Sequence, residues 1–235
     1  MTYVLPVPPT RDVPVKGAGP GALFAVHRIY CVGRNYVEHA QEMGFTGREA
    51  PFFFMKPGDA VLPVAPGQTG ELPYPPLTSN FHHEVELVAA IGKGGRNIPA
   101  AKALEHVWGY AVGLDMTRRD LQGEMKKQGR PWSIGKGFDA SAPIGALTPA
   151  KDAGDVTRAA IELKVNGKPT QVSRIDQMIW SLPEIIEHLS SAWTLQAGDL
   201  IFTGTPEGVG AVVKGDVMSA RIDGLAPLEL RVVGE

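Results

Sequence analysis

Phe81-His82-His83-Glu84-Val85-Glu86-Leu87-Val88-Ala89-Ala90-Ile91 is the stretch in which strand alternation and a pair of carboxylates coincide. Its first half alternates, and its second half is an unbroken apolar run, so it reads as a strand whose far end lies in the core. On a strand, residues i and i+2 share a face, which puts Glu84 and Glu86 side by side, about 6–7 Å apart along the chain. Two like charges there repel unless a cation lies between them. The next apolar run, Gly109 to Leu114, ends on Asp115, where a buried strand would emerge. Three carboxylates without a thiolate form a hard oxygen donor set, suited to Mg²⁺, Mn²⁺ or Ca²⁺ rather than zinc. Taken alone, Glu-x-Glu is also the pattern of a solvent-facing edge strand, and His82 and His83 read as packing residues rather than ligands.

Outward from this stretch, short strands are legible at Arg28 to Val32, Pro51 to Met55, Leu200 to Phe202 and Ala226 to Val233. Ile161 to Val165 alternates strictly and runs into Asn166-Gly167, a strong short-range hairpin signal. Helices are predicted at Pro99 to Val107, at Thr117 to Lys127, and after Ser181-Leu182-Pro183-Glu184, which has capping-box spacing. A short fourth is predicted near Tyr36 to Met43. The 28 glycines and 20 prolines imply many turns. Without steady βαβα alternation or a glycine-rich phosphate loop, the expected class is α+β, a mixed folded sheet. Residues 1–24 read as an extended N-terminal arm and residues 25–235 as one catalytic domain.

The chain of 235 residues suits one large domain. With 23 basic and 25 acidic residues, it has no electrostatic footprint for nucleic acid or an acidic membrane. One cysteine, Cys31, precludes an internal disulfide, and neither a signal peptide nor a spanning segment is seen, so a cytoplasmic protein is expected.

Three further stretches carry possible chemistry. His39 and Glu42 are three apart, so on a helix they share a face, and a carboxylate beside an imidazole raises its proton affinity. Incidental neighbours on a surface helix have the same spacing. Lys136 is framed by Gly135 and Gly137, a pattern shared by turn lysines in water and by a cation held in a cleft. Thr203 to Gly210 is rich in small residues that permit close backbone approach to a ligand, or form a plain turn. The segment from Tyr36 to Gly47 has few large apolar residues and glycines at its flanks, which predicts a mobile lid.

Together, Gly33-Arg34-Asn35-Tyr36, His39-x-x-Glu42, His83-Glu84-Val85-Glu86, Asp115-Met116-Thr117, Lys136 and Gly204-Thr205-Pro206-x-Gly208-Val209-Gly210 closely resemble the fumarylacetoacetate hydrolase superfamily, from about residue 25 to the C-terminus. Within it the chain looks most like fumarylpyruvate hydrolases and acylpyruvases. The resemblance implies a mixed sheet rolled on itself and a homodimer. It implies one divalent ion, Mg²⁺ foremost, on Glu84, Glu86 and Asp115. It assigns catalysis to His39, Glu42 and Lys136, and substrate contacts to Arg34, Tyr36, Arg119, Gln122 and Thr205.

The reaction it implies is hydrolysis of the C3–C4 bond of a 2,4-dioxo acid, with fumarylpyruvate giving fumarate and pyruvate in gentisate-type aromatic catabolism. A cation is then needed for the distal carboxylate, with Arg34, Arg118 and Arg119 as candidates. Oxaloacetate decarboxylation and 2-oxo-diene-dioate isomerisation share the enolate intermediate and remain alternatives. A non-catalytic metal-binding protein is a remoter one.

Overall fold

In the computed structural model, residues 3–6, 8–17, 19, 21–36 and 48–234 are described. The strand that carries Glu86, Val85–Ile91, lies inside an eight-stranded sheet. Its neighbours are Leu200–Phe202 on one side and Val107–Leu114 on the other. Ile29–Gly33 and Phe52–Lys56 extend the sheet past Leu200–Phe202. Ala142–Ile144 and Val61–Pro63 extend it the other way, and Thr148–Pro149 also pairs with Val107–Leu114. A five-stranded sheet runs in the order Lys168–Arg174, Ala160–Val165, Val217–Ile222, Leu228–Val233, Thr69–Pro73. A three-stranded piece joins Thr117–Arg118, Phe81–His83 and Gly210–Ala211. Parallel and antiparallel pairs are mixed, with few helices, so the α+β class expected from the sequence is the one observed.

Every residue of Val85–Ile91 is buried, because each face has its own core. Val85, Leu87, Ala89 and Ile91 belong to the larger cluster, with Val112, Leu163, Ile185 and Leu230. Val88 and Ala90 belong to the smaller one, with Cys31, Ala111 and Phe202. Each fully buried Val, Leu or Ile stabilises by about 1.5–3 kcal/mol, which fixes the register against a one-residue slip. Period-two alternation then aims Glu86 to the smaller-cluster side.

The hairpin is where Asn166-Gly167 puts it, with φ of 51° and 77°, as a type I′ turn requires. The helix Leu182–Ala192 follows its capping box: the Glu184 carboxylate accepts from Ser181 N at 2.9 Å and from Ser181 Oγ at 2.7 Å.

Three predicted helices differ. Thr117 and Arg118 pair with His82 and Phe81 as strand, so that helix runs Arg119–Lys127. The segment predicted at Pro99 to Val107 is a 3₁₀ helix, Ala100–His106. Tyr36, predicted to begin a helix, instead forms an antiparallel bridge with Met178; the rest of that segment lies outside the described residues. Arg11–Pro14, in the predicted arm, pairs with Leu23–Val26, which runs past residue 24, in a two-stranded ribbon. Val13 is fully buried there in the smaller core. No described helix is long and apolar enough to cross a membrane.

Candidate active site

Glu84 occupies the residue between strands Phe81–His83 and Val85–Ile91, and Glu86 is the second residue of the latter. Asp115 follows Val107–Leu114 directly, and its N–H donates to Glu84 O at 2.9 Å, which locks the two strand ends together. Oxygens of the three carboxylates lie within 4.8 Å of one another, and all three residues are buried. The pair spaced two apart and the carboxylate of the next strand thus converge.

Cations surround the cluster from near and distant parts of the chain. Lys136 ends the short helix Ser133–Lys136 and is 2% exposed. Its Nζ donates to Glu84 Oε2 at 2.9 Å and to Asp115 Oδ2 at 2.7 Å. Burial acts to lower the ammonium pKa, but the charges of Asp115 and Glu84 outweigh it and the net shift is upward. Gly135 permits this approach, since a Cβ there would meet Gln122 Cβ and N at 2.9 Å. Arg119 Nη2 pairs with Glu84 Oε1 at 2.5 Å, while its Nη1 donates to Gln122 Oε1 at 2.6 Å.

Lys56, at the end of Phe52–Lys56, was not singled out from the sequence. It is 1% exposed, pairs with Asp115 Oδ1 at 2.8 Å and donates to the carbonyls of Met116 and Lys136. No local pattern marks it, because its partner lies 59 residues away.

Glu86 is the exception in this charge balance. Among the described residues it has no ion pair, and Gly204 N–H donates to its Oε2 at 2.7 Å. Gly204 has φ of 98°, and a Cβ there would meet Asn35 Cβ at 2.6 Å, so the close backbone approach predicted for this loop is directed at a carboxylate. Burial, then the charges of Asp115 and Glu84, push the Glu86 carboxyl well above the usual range. A buried carboxylate short of a cation, beside two more hard oxygen donors, fits a divalent ion.

The remaining sequence candidates divide. Arg34, Arg119, Gln122, Lys136 and Thr205 line an inner cavity of about 30 Å³ with the three carboxylates. Thr205 Oγ donates to Val85 O at 2.8 Å and accepts from Gln171 Nε2 at 2.8 Å, so its hydroxyl is engaged within the fold. Gln171, fully buried and also missed from the sequence, accepts on Oε1 from Val85 N. Tyr36 is 1% exposed and is absent from the lining. Arg118 turns away, its guanidinium 4.3 Å from the Phe138 ring centroid. His39 and Glu42, with the predicted lid, lie outside the described residues.

His82 and His83 hold the strand rather than face the cluster. Burial, then Arg119, lowers the His82 pKa to about 4, and His83 Nδ1 donates to Gln171 Oε1 at 2.9 Å.

Residues 28–233 match the family model described as fumarylacetoacetate (FAA) hydrolase C-terminal. The chain belongs to this family. The fumarylpyruvate hydrolase of Pseudomonas aeruginosa, solved with Mn²⁺ and pyruvate, superposes with a TM-score of 0.96 at 57% identity, covering 100% of both chains. The human mitochondrial oxaloacetate tautomerase FAHD1 is 43% identical over 204 residues, 87% of this chain and 90% of that one. The mitochondrial oxaloacetate decarboxylase of Dictyostelium discoideum is 42% identical over 198 residues, 84% of this chain and 89% of that one. The fumarylacetoacetate hydrolase family thus spans hydrolases, tautomerases and decarboxylases, and the family fold is the rolled mixed sheet described above.

The inner cavity shares Arg34, Phe54, Trp132 and Lys136 with a larger pocket of about 550 Å³. A separate cavity of about 260 Å³ lies between Leu87, Tyr110, Val156, Ile175 and Met178, off the larger-core face of the same strand. Its carboxylate, Asp176, pairs with Arg174. The chemistry therefore concentrates on the Glu86 side.

Proposed function

We propose that this chain is a divalent-metal-dependent acylpyruvate hydrolase, with fumarylpyruvate the best-fitting substrate. The observation that carries the reading is the buried carboxylate cluster, ringed by Lys136, Lys56 and Arg119 but leaving Glu86, among the described residues, without an ion pair, in an inner cavity that shares lining residues with a larger pocket. The 57% identity to a fumarylpyruvate hydrolase solved with Mn²⁺ and pyruvate supports it.

In this reading Glu84, Glu86 and Asp115 hold the metal, which when bound supplies Lewis acidity toward the pyruvoyl end of the substrate. Lys136 and Arg119 hold that end by charge, and the amide of Gln122, whose oxygen accepts from Arg119, orients it. His39, paired with Glu42, takes a proton from water, whose oxygen adds to C4. The C3–C4 bond breaks, and its electron pair passes into the pyruvate enolate. Negative charge then develops beside the Lys136 ammonium, a preorganised cation in a water-poor site. Return of the proton to C3 gives pyruvate, and the acyl half leaves as an acid. A homodimer in the cytoplasm is proposed with this reading.

A second reading, oxaloacetate tautomerisation or decarboxylation, is favoured by the 43% and 42% identical relatives. Steady-state assays with Mn²⁺ or Mg²⁺ on fumarylpyruvate and oxaloacetate separate the two. Metal-dependent release of fumarate supports the hydrolase. Turnover of oxaloacetate alone refutes it.

A further inference from the structure

The three arginines considered for a distal carboxylate can be weighed by what they touch. Arg119 engages Glu84 and Gln122, and Arg118 packs over Phe138 with Nη1 donating to Ile134 O at 3.3 Å. Arg34 sits at the junction of the inner cavity and the outer pocket, its guanidinium 5.1 Å from the Phe52 ring centroid. Burial lowers its pKa, with Glu49 opposing the shift.

The outer pocket supplies a fourth cation that no sequence pattern marked. Arg130 follows the helix Arg119–Lys127 and lines the outer pocket, not the inner cavity. It is exposed, and among the described residues its guanidinium makes no hydrogen bond or ion pair. The same pocket is lined by the buried Lys136 and by half-buried rings. Phe52 and Trp132 meet edge-on at 5.4 Å, and Phe54 and Trp132 tilt at 5.9 Å. Half-exposed rings grouped at a pocket wall present flat apolar faces, which suit a planar unsaturated chain. The pocket thus combines a buried cation, Lys136, with aromatic walls and an exposed cation, Arg130.

We propose that the pocket walled by Phe52, Phe54 and Trp132 receives the acyl arm of the substrate, and that Arg130 pairs with a carboxylate at the end of that arm. The enzyme then selects acylpyruvates carrying a second acid group, separated from the pyruvoyl end by a flat chain. This rests on the hydrolase reading above and adds to it a specificity-determining residue.

The test is the ratio of kcat/KM for fumarylpyruvate, which has a terminal carboxylate, to that for acetylpyruvate, which ends in a methyl group. Arg130→Gln should lower this ratio about 10- to 100-fold, as loss of a hydrogen bond to a charged group implies. The loss should fall mainly on KM. Arg130→Lys should restore part of the ratio, and Arg130→Glu should lower it further. Arg130 is exposed, so circular dichroism should report an unchanged fold. An unchanged ratio overturns the proposal, as does an equal loss on both substrates, which marks a structural role. Wild-type turnover of either acylpyruvate upholds the hydrolase reading independently of Arg130. Turnover of neither refutes that reading and this proposal with it.

Discussion

Replacing Glu86 by Gln should make the metal-free protein more stable while removing its response to metal. Glu86 is 2% exposed, and its carboxylate lies within 4.8 Å of those of Glu84 and Asp115. At 4.8 Å and an effective dielectric of about 20, two unit charges repel by about 3.5 kcal/mol, and Glu86 has two such neighbours. Lys136, Lys56 and Arg119 return much of this. Replacing buried ionic groups by neutral ones of similar volume is often neutral or stabilising by about 1–4 kcal/mol, and because Glu86 has no ion pair among the described residues a gain of about 1–3 kcal/mol is expected here. Gln keeps an oxygen to accept the Gly204 N–H, so no hydrogen bond need be lost. For a chain of this size the gain corresponds to a Tm rise of about 2–12 °C in chelator. Added Mn²⁺ should then raise the wild-type Tm by an amount that grows with the logarithm of its concentration above Kd, and leave the variant almost unmoved. The pH dependence has a definite sign. The folded-state pKa of Glu86 is raised above its ordinary value of 4.5, so below 4.5 the carboxyl is neutral in both states and the two proteins should match. As pH rises above that value, unfolding lets the carboxyl ionise, and the wild type should lose stability relative to the variant. Differential scanning calorimetry at several pH values reads both effects. A variant less stable than wild type in chelator, or one that keeps the full Mn²⁺ shift, refutes the reasoning.

His39→Ala should lower kcat about 10²–10⁴-fold while leaving affinity for an oxalate-like inhibitor almost intact, and the His39→Ala, Glu42→Ala double variant should be little worse than the poorer single one; multiplying effects would break the pairing. Lys136→Ala should weaken both turnover and inhibitor binding, because its ammonium touches Glu84 and Asp115 at the floor of the pocket; unchanged inhibitor affinity by calorimetric titration would refute its placement beside the substrate. Lys56→Met strips Asp115 Oδ1 of a buried partner and should cost about 3–5 kcal/mol, read as a fall in Tm. Cys31 is fully buried, and burial, then Asp115, raises its thiol pKa well above the usual value, so iodoacetamide should label it only after denaturation; rapid labelling of the folded protein would contradict the core assignment.

The sequence by itself determined what short-range stereochemistry controls. Alternation in Glu84 to Ile91 put two carboxylates on one side of a strand, because side chains repeat every second residue. Asn166-Gly167 set a hairpin because both positions need positive φ, and Ser181 to Glu184 set a helix start because its first N–H groups need acceptors. The family followed from motifs in order along the chain, each too common to mean much alone. Tertiary structure decided what depends on neighbours distant in sequence. Thr117 and Arg118 are strand because Phe81 and His82 offer them a ladder that local helix propensity cannot match. Tyr36 is held by Met178, 142 residues on, and Thr205 by Gln171. The charge of the site is likewise non-local. Lys56 reaches Asp115 across 59 residues, and Arg130 joins Phe52 and Phe54 only in the folded pocket. A lysine or arginine in sequence has the same local signature in water or in a buried ion pair, and only packing distinguishes them, because desolvation and partner distance set its energy.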